Sequence, residues 1–402
     1  MLLLDLPNEL LQDISEYLDF ERDINAIAQA NRRLYHLLDS YRYRYNIQQS
    51  GSSALLWAAR HGQEATAKKL LREKADIQAT NDNNQTPLFL AAENGHNKLV
   101  ELLLDKGASV NPQCGAFGNA LYAASQEGYE AVIKMLLDNG ANVNAKGEYH
   151  GNALQAASFR GHEAVVKMLL DKGADVNTQG GKYSNALQAA LQGGHKAVAK
   201  MLLDKGANVN AQSRKYGNVL YVTSFRGHKA MVSLLLDKGA DVDAQGGYHG
   251  NALQAASFRG HKMVVKLLLN KGANVNVQNG KYENALYAAS YRGDEAVVKL
   301  LLDNGADINA QGRKYSNALY AASFRGHEAV VKMLLKKGAD VDAQGGYHGN
   351  ALYAASVRGH EAVVRLLLDQ GANVNAQSEY HSKILQAASV RGHEAVVKML
   401  LD

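Results

Sequence analysis

Cysteine and proline are nearly absent from this sequence. Among 402 residues there are one cysteine, Cys114, and three prolines. A lone cysteine excludes an intramolecular disulfide and favours a reducing compartment. Charged side chains interrupt every apolar run before the roughly 18 residues that a membrane-spanning helix needs, and the start, Met1 to Asp5, lacks the basic stretch of a signal peptide. We therefore expect a protein of the cytoplasm, the nucleus or both.

Glycine and hydrophobic residues are, by contrast, abundant. The chain holds 37 glycines, and hydrophobic residues make up 46% of it. This apolar content is enough to bury a core, and it excludes wholesale disorder. Residues 1–50 carry 5 Lys+Arg and 8 Asp+Glu, so the remainder carries 39 and 31. The basic excess therefore lies after the first fifty residues.

The sequence repeats at one constant interval, without any insertion. One repeat predicts an N-cap at Asn152, a helix from Ala153 to Arg160, a break at Gly161 and a second helix from about His162 to Lys172. Glycine recurs at the first break and after the second helix, where a residue without Cβ tolerates positive φ. The eleven positions equivalent to Asn152 are Ser53, Thr86, Asn119, Asn152, Asn185, Asn218, Asn251, Asn284, Asn317, Asn350 and Lys383.

The second predicted helix has one apolar face and one charged face. Its aliphatic residues recur at matching positions, and such a face can be buried only against neighbouring repeats. One repeat alone would not fold. Lys167 and Asp171 fall on the opposite face, where we interpret them as a solvated charge pair. The aliphatic set of this repeat is Val165, Val166, Leu169 and Leu170.

The period, the Gly-Ala-Asp-Val-Asn tails and the helix, Gly-His, helix core resemble the ankyrin repeat. The repeat with Thr86-Pro87-Leu88 and Gly95-His96 is nearest to the family pattern. Later repeats use Asn-Ala-Leu-Gln or Asn-Ala-Leu-Tyr, a variant that looks like arrays of filamentous fungi. The resemblance implies an all-α fold, a solenoid of eleven 33-residue repeats over residues 49–402.

Residues 1–48 do not follow the period, and we predict three short helices there. Helices of this length cannot bury their apolar faces alone. The opening Leu6-Pro7-x-Glu9 and the closing segment from Arg32 to Tyr35 resemble the F-box. This resemblance implies a module of residues 1–48 that docks onto a Skp1-type adaptor of a cullin–RING ubiquitin ligase. The Skp1-binding residues that it implies are Leu6, Pro7, Glu9, Leu10, Leu11, Ile14 and Leu18.

Arginine follows an aromatic residue or valine at the end of most first helices. By resemblance to ankyrin arrays, first helices and turns line the concave surface, where partners bind. Arginine and aromatic side chains are common interface anchors. The alternative, in which the rings pack within the array and arginine satisfies helix carbonyls, stays open. The predicted target-binding residues are Phe159, Arg160, Tyr183, Lys215, Tyr216, Phe225, Arg226, Phe258, Arg259, Tyr282, Tyr291, Arg292, Tyr315, Phe324, Arg325, Arg358 and Arg391.

No sequence pattern predicts catalysis, a cofactor or a metal site. The histidines that recur from His96 to His393 would lie about 10 Å apart on stacked helices, too far to share one ion. Cys114 has no nearby His or Asp pattern that would activate a thiol. Phosphate-binding glycine loops and nucleophile elbows are missing from the sequence. We therefore expect no enzyme.

The two resemblances together predict a substrate-recruiting adaptor of a Skp1–cullin–F-box ubiquitin ligase. The F-box would bind Skp1, and the array would bind a protein target, which its basic face predicts to be acidic. The first alternative is a plain interaction scaffold or inhibitor, in which the leading helices only cap the array. The second is a nucleic-acid reader, which the modest basic excess of the array disfavours.

Overall fold

The computed structural model describes the helical repeats almost completely and the first fifty residues in part. Its described residues are 6–8, 10–11, 33–34, 47, 52–112, 114, 118–147, 151–213, 217–248, 250–281, 283–312, 317–344, 349–375 and 384–402. The chain divides into two compact units, residues 1–207 and 208–402. Within the described ranges, no helix is both long and apolar enough to cross a membrane.

Among the described residues of the first compact unit there are five pairs of helices. Within each pair a first helix contacts a second helix, and helices of the same kind pack side by side along the chain. The helices are α1 Ser53–His61, α2 Glu64–Arg72, α3 Pro87–Glu93, α4 Asn97–Asp105, α5 Ala120–Glu127, α6 Glu130–Asp138, α7 Ala153–Arg160, α8 Glu163–Asp171, α9 Ala186–Gly193 and α10 Lys196–Asp204.

The second compact unit continues the same alternation with six pairs. Its helices are α11 Val219–Phe225, α12 Lys229–Asp237, α13 Ala252–Arg259, α14 Lys262–Asn270, α15 Ala285–Arg292, α16 Glu295–Asp303, α17 Ala318–Arg325, α18 Glu328–Lys336, α19 Ala351–Arg358, α20 Glu361–Asp369, α21 Ile384–Val390 and α22 Glu394–Leu401. The predicted helical class is confirmed.

Two short antiparallel strand pairs were not predicted. The strands β1 Lys146–Gly147 and β2 Gly151–Asn152 pair in the first unit, with Lys146 opposite Asn152. In the second unit β3 Gln212–Ser213 pairs with β4 Gly217–Asn218. Each strand is too short to show the alternation of polar and apolar residues by which a strand is recognised in a sequence.

The predicted helix boundaries are confirmed where the sequence carries caps. The side chain of Asn152 accepts a hydrogen bond from the backbone N–H of Gln155 at 2.9 Å, and the Gln155 side chain accepts from the Asn152 N–H at 3.3 Å. At the other end of α7, Gly161 has φ of 81° and its N–H donates to the carbonyl of Ala157. Reciprocal capping and a left-handed glycine together fix both ends of a two-turn helix.

The core lies between neighbouring first helices and between the two helices of each repeat. In α8, Val165, Val166 and Leu169 are buried as predicted, whereas Leu170 is only half-buried. The first helices are buried along most of their length, and in α7 every residue from Ala153 to Ser158 is buried. Their alanines admit close approach of the neighbouring first helices, so the binding residues must sit at the ends of these helices.

The charged face of the second helices is organised differently from the sequence prediction. Asp171 does not form an isolated surface pair with Lys167; its Oδ1 lies 3.3 Å from Nζ of Lys205 in the following repeat. The pair Asp237–Lys271 repeats this contact at 2.8 Å in the second unit, and the hydrogen bond from Lys271 holds the pKa of Asp237 below its usual value. These exposed pairs link adjacent repeats but contribute little stability each.

An asparagine in the tail of several repeats joins the repeat to the next one. Asn276 Nδ2 donates to the carbonyl of Gly305 at 3.1 Å, and Asn276 Oδ1 accepts from the N–H of Asp307 at 2.8 Å. Asn144 makes the same two bonds with Gly173 and Asp175. In these repeats one carboxamide therefore joins the loop after the second helix to the next repeat.

We expect Asn276→Ala to destabilise the protein by about 1–2 kcal/mol, because two hydrogen bonds of a partly exposed clamp are lost. Asn276→Asp is the matched control: it keeps the acceptor and should cost about half as much. Asp243 already accepts from the N–H of Asn274 in this way, at 3.1 Å. Urea denaturation followed by circular dichroism measures the difference. Equal stability of Asn276→Ala and the unchanged protein would show that the two hydrogen bonds of Asn276 do not stabilise the protein.

Candidate target-binding face

Six arginines occupy one equivalent position in six successive repeats of the second compact unit. All six are exposed, and each stands at or just after the end of a first helix. We call them the arginine row. Its members are Arg226, Arg259, Arg292, Arg325, Arg358 and Arg391.

Aromatic rings hold members of the arginine row in place. The guanidinium of Arg358 lies 4.1 Å from the ring centre of Phe324, and that of Arg325 lies 5.0 Å from the ring centre of Tyr291. Arg259 lies 4.9 Å from the ring centre of Phe225. In every case the ring belongs to the repeat that precedes the arginine. Such cation–π contacts are worth about 0.5–1 kcal/mol at exposed sites.

A second layer of tyrosines supports these rings. The ring centres of Tyr320 and Phe324 lie 6.0 Å apart, and those of Tyr287 and Tyr291 lie 6.3 Å apart. Tyr287 is buried with Ala288 and Ala321, and Phe258 and Tyr291 pack against this cluster. Burial raises the pKa of Tyr320 to about 12, so its phenol stays neutral at physiological pH.

The sequence analysis left these tyrosines out of the site. The signal that would have found them is their spacing, because Tyr287 and Tyr320 each stand one helical turn before a predicted site ring and therefore share its helix face.

The recurring histidines fix the helix ends that carry the rings. Nε2 of His360 lies 3.2 Å from the carbonyl oxygen of Phe324, and Nε2 of His327 lies 3.1 Å from that of Tyr291. Burial lowers the pKa of His327, which favours a neutral imidazole that donates from Nε2. The structural role predicted for these histidines is confirmed. They form hydrogen bonds with backbone carbonyl groups at the ends of the first helices that carry the rings.

The described residues offer no arrangement typical of a metal or catalytic centre. No group of three or more His, Cys, Asp or Glu side chains there could hold a metal ion. Cys114 is fully buried, and burial raises the pKa of its thiol. A protonated thiol without solvent access is a poor nucleophile.

A family model described as ankyrin repeats (3 copies) matches the chain at residues 24–114, 113–180, 154–246, 186–279, 252–345 and 319–402. The chain belongs to the ankyrin-repeat family. No curated protein matches it. Ankyrin repeats indicate a scaffold for binding other proteins, and the repeats are non-catalytic in typical members. The match supports neither the F-box resemblance nor the fungal one, and its first copy begins inside the segment predicted as the leading module.

In the first compact unit of this ankyrin-repeat protein, the predicted site residues Tyr183 and Arg160 are less available to a partner than the arginine row is. Tyr183, expected on the binding face, is only 8% exposed, because its ring stacks on Phe159 with ring centres 4.4 Å apart. Arg160 was expected to belong to the same row as the later arginines. Its Nη2 lies 4.0 Å from Oε1 of Glu127, so its charge is partly countered.

Some predicted residues lie outside the described residues of the ankyrin-repeat protein. They are Lys215, Tyr216, Tyr282 and Tyr315 of the target face, and Glu9, Ile14 and Leu18 of the leading segment. One turn of the second unit is described next to them. There Tyr248 is 68% exposed, and Nζ of Lys281 lies 5.1 Å from its ring centre. The contact of a cation with a ring of the preceding repeat therefore recurs in a turn.

The leading segment folds back on its own start. Arg33 donates from Nη2 to the carbonyl of Leu6 at 2.9 Å and to Oδ1 of Asn8 at 2.8 Å. Leu11 is buried, although the sequence prediction placed it among the Skp1-binding residues, and Leu34 is buried as well. Leu10 is 48% exposed. The exposed and the buried leucine are adjacent, so only Leu10 of this pair faces a potential partner.

Proposed function

We propose that this ankyrin-repeat protein is a non-catalytic, substrate-recruiting adaptor of a Skp1–cullin–F-box ubiquitin ligase. The leading segment binds a Skp1-type subunit, and the arginine row of the second unit binds an acidic protein target. The other ligase subunits and their conjugating enzyme transfer ubiquitin. The contribution of this chain is proximity.

The observation that carries the ligase half of the proposal is the contact of Arg33 with Leu6 and Asn8. It joins the two sequence segments on which the F-box resemblance rests, although they are far apart along the leading segment. The same fold-back leaves Leu10 exposed beside the buried Leu11. In the proposed complex, Leu10 is the member of this pair that contacts the Skp1-type subunit.

The target half rests on charge and geometry. The arginine row presents guanidinium groups that are held by rings, and at least three of these ring contacts are within 5.0 Å. A ring does not neutralise the charge as a carboxylate would. The row therefore keeps its attraction for an acidic partner, and salt should weaken that attraction.

The ligase half is tested by co-expression of the full chain with a Skp1-type protein. We expect the unchanged chain to co-purify with Skp1, and the Leu10→Asp, Ile14→Asp double variant to lose Skp1 almost completely, because buried carboxylates carry a large desolvation cost. The matched control is Arg325→Gln with Arg358→Gln, which should retain Skp1. Co-purification that survives the double aspartate change, with unchanged circular dichroism, contradicts the assignment.

A plain interaction scaffold is the second candidate function. The ankyrin-repeat match starts at residue 24, which favours a leading segment that serves as the edge of the array. This candidate predicts that deletion of residues 1–40 lowers stability but removes no ligase partner. Affinity purification of both forms followed by mass spectrometry separates the two candidates.

A further inference from the structure

The spacing of the arginine row restricts what can bind it. Its members stand at equivalent positions of adjacent first helices, and packed helices lie about 8–10 Å apart. A ligand that engages several arginines at once must therefore present acidic groups at about that interval along one side. This requirement concerns the second compact unit alone.

The stacked arginines are pre-oriented for carboxylates. When one face of a guanidinium lies on a ring, its N–H groups point outward in the plane of the group, and this edge can pair with both oxygens of a carboxylate. The rings of Phe225, Tyr291 and Phe324 hold Arg259, Arg325 and Arg358 in this way. A held side chain loses less conformational entropy on binding than a free one.

Extended backbones differ in how they meet this spacing. Polyproline II rises about 3.1 Å per residue with three residues per turn, so one side recurs every roughly 9.3 Å. In a β-strand the third residue is also about 10 Å away, but it points to the opposite face because the period is two. An α-helix presents the same side again after seven residues, at about 10.5 Å. Its diameter of about 10–12 Å, however, makes it thicker than an extended chain.

The surroundings of the arginine row favour polyproline II over the helix. Half-buried rings at the ends of the first helices alternate with the arginines, and the tyrosine layer below keeps them rigid. Surfaces lined with aromatic side chains are the usual docking sites of proline-rich polyproline II segments. The row thus offers cations at one interval, and three of them are held on rings.

We propose that the arginine row binds an acidic polyproline II segment of a partner protein, with Asp or Glu at every third position and proline among the residues between. This inference deepens the target-binding half of the proposed function and is independent of its Skp1 half. The carboxylates pair with the guanidinium edges, and the prolines hold the segment in the polyproline II conformation that sets the spacing of its carboxylates.

The register is tested by fluorescence anisotropy with the full chain and two labelled peptides. One consists of five Glu-Pro-Pro triplets; the other has the same composition, but its glutamates alternate between two-residue and four-residue spacing. We expect the first to bind at least about tenfold more tightly, since misplaced carboxylates lose charge-assisted hydrogen bonds while the net charge is the same. Equal affinities of the two peptides would contradict the proposed three-residue spacing of the acidic groups.

The ring platform is tested by variants that keep every charge. Phe225→Leu with Phe324→Leu should weaken the triplet peptide about fivefold, and Arg358→Lys should weaken it as well, because an ammonium lacks the planar edge. The matched control is Lys266→Gln, Lys299→Gln and Lys332→Gln, three exposed lysines of second helices. Their loss should leave affinity nearly unchanged. Undiminished binding by the Phe225→Leu, Phe324→Leu variant overturns the role of the rings.

Two further probes decide the class of ligand. A helical peptide with glutamate at every seventh position, or an oligothymidine of similar length, would overturn the proposal if it bound more tightly than the triplet peptide. None of these measurements involves Skp1. If the triplet peptide does not bind as expected but Skp1 still co-purifies, only the polyproline II inference is contradicted. If the peptide binds as expected but Skp1 does not co-purify, only the ligase half of the proposed function is contradicted.

Discussion

Replacing Gly161 by alanine is expected to destabilise the protein by about 2–5 kcal/mol, whereas Gly173→Ala in the same repeat should cost only about 1–2 kcal/mol. Both glycines have positive φ, 81° and 86°, so in both variants an alanine in the left-handed region lowers the stability. A Cβ at Gly161 would also collide with the imidazole ring of His195, and one at Gly173 would meet nothing within 4 Å. The difference between the two variants isolates the packing of the histidine ring on the preceding repeat.

Urea denaturation of both variants measures this difference. The double variant Gly161→Ala, His195→Ala removes the ring that the new methyl group would strike, so it should cost less than the sum of the two single changes. Equal destabilisation by Gly161→Ala and Gly173→Ala would mean that the histidine yields freely and that the close approach is unimportant.

Leu268→Ala is expected to cost about 3–5 kcal/mol, because the residue is fully buried in α14. Leu269→Ala is the matched control. Leu269 is the next residue of the same helix but only half-buried, so its loss should cost about 1–2 kcal/mol. Thermal and chemical unfolding of both variants, followed by circular dichroism, gives the comparison.

The Leu268 variant should also broaden the unfolding transition. Repeats contact only their neighbours, so weakening one junction allows the two sides to unfold separately. A transition as steep as that of the unchanged chain, with equal destabilisation by both leucine variants, would contradict this description of the core.

The elements within one repeat were predictable because their signals are local. Asn152, Gly161 and the aliphatic stripe of α8 each act within a short stretch of chain, so capping rules and helical periodicity place them correctly. The short strand pairs were missed, since strands of this length carry no periodic signal.

Contacts between repeats could not be predicted from the period alone. The period tells which positions are equivalent but not by how much neighbouring helices are offset. The position equivalent to Phe324 in the next repeat is Val357. The ring of Phe324 instead contacts Arg358, and its carbonyl oxygen lies next to the ring of His360. This offset places each arginine of these contacts on the ring of the preceding repeat.

The charged face of the second helices shows the same limit of prediction. Within one helix, the spacing of Lys167 and Asp171 predicts a pair, because both lie on the same face. The neighbouring helix brings Lys205 to Asp171 instead. Only the packing of two repeats could decide between these two partners.

The candidate site was accordingly predicted in part. The arginines of the second unit are exposed, and the rings beside them pack within the array, as the alternative for the rings had it. Target binding by these residues stays a prediction. Arg160 differs because the preceding repeat carries Glu127 at the position where the repeats of the second unit carry arginine. Tyr183 differs because its ring stacks on Phe159.

The central claim is that the arginine row is the surface on which this ankyrin-repeat protein holds an acidic target. It is tested most directly by titrating labelled poly-glutamate with the full chain and with the Arg259→Gln, Arg325→Gln, Arg358→Gln variant at low and at high salt. We expect binding to fall with salt and to be largely lost in this variant but retained in the variant that lacks Lys266, Lys299 and Lys332. Binding that ignores salt, or that both triple variants weaken equally, would contradict the claim.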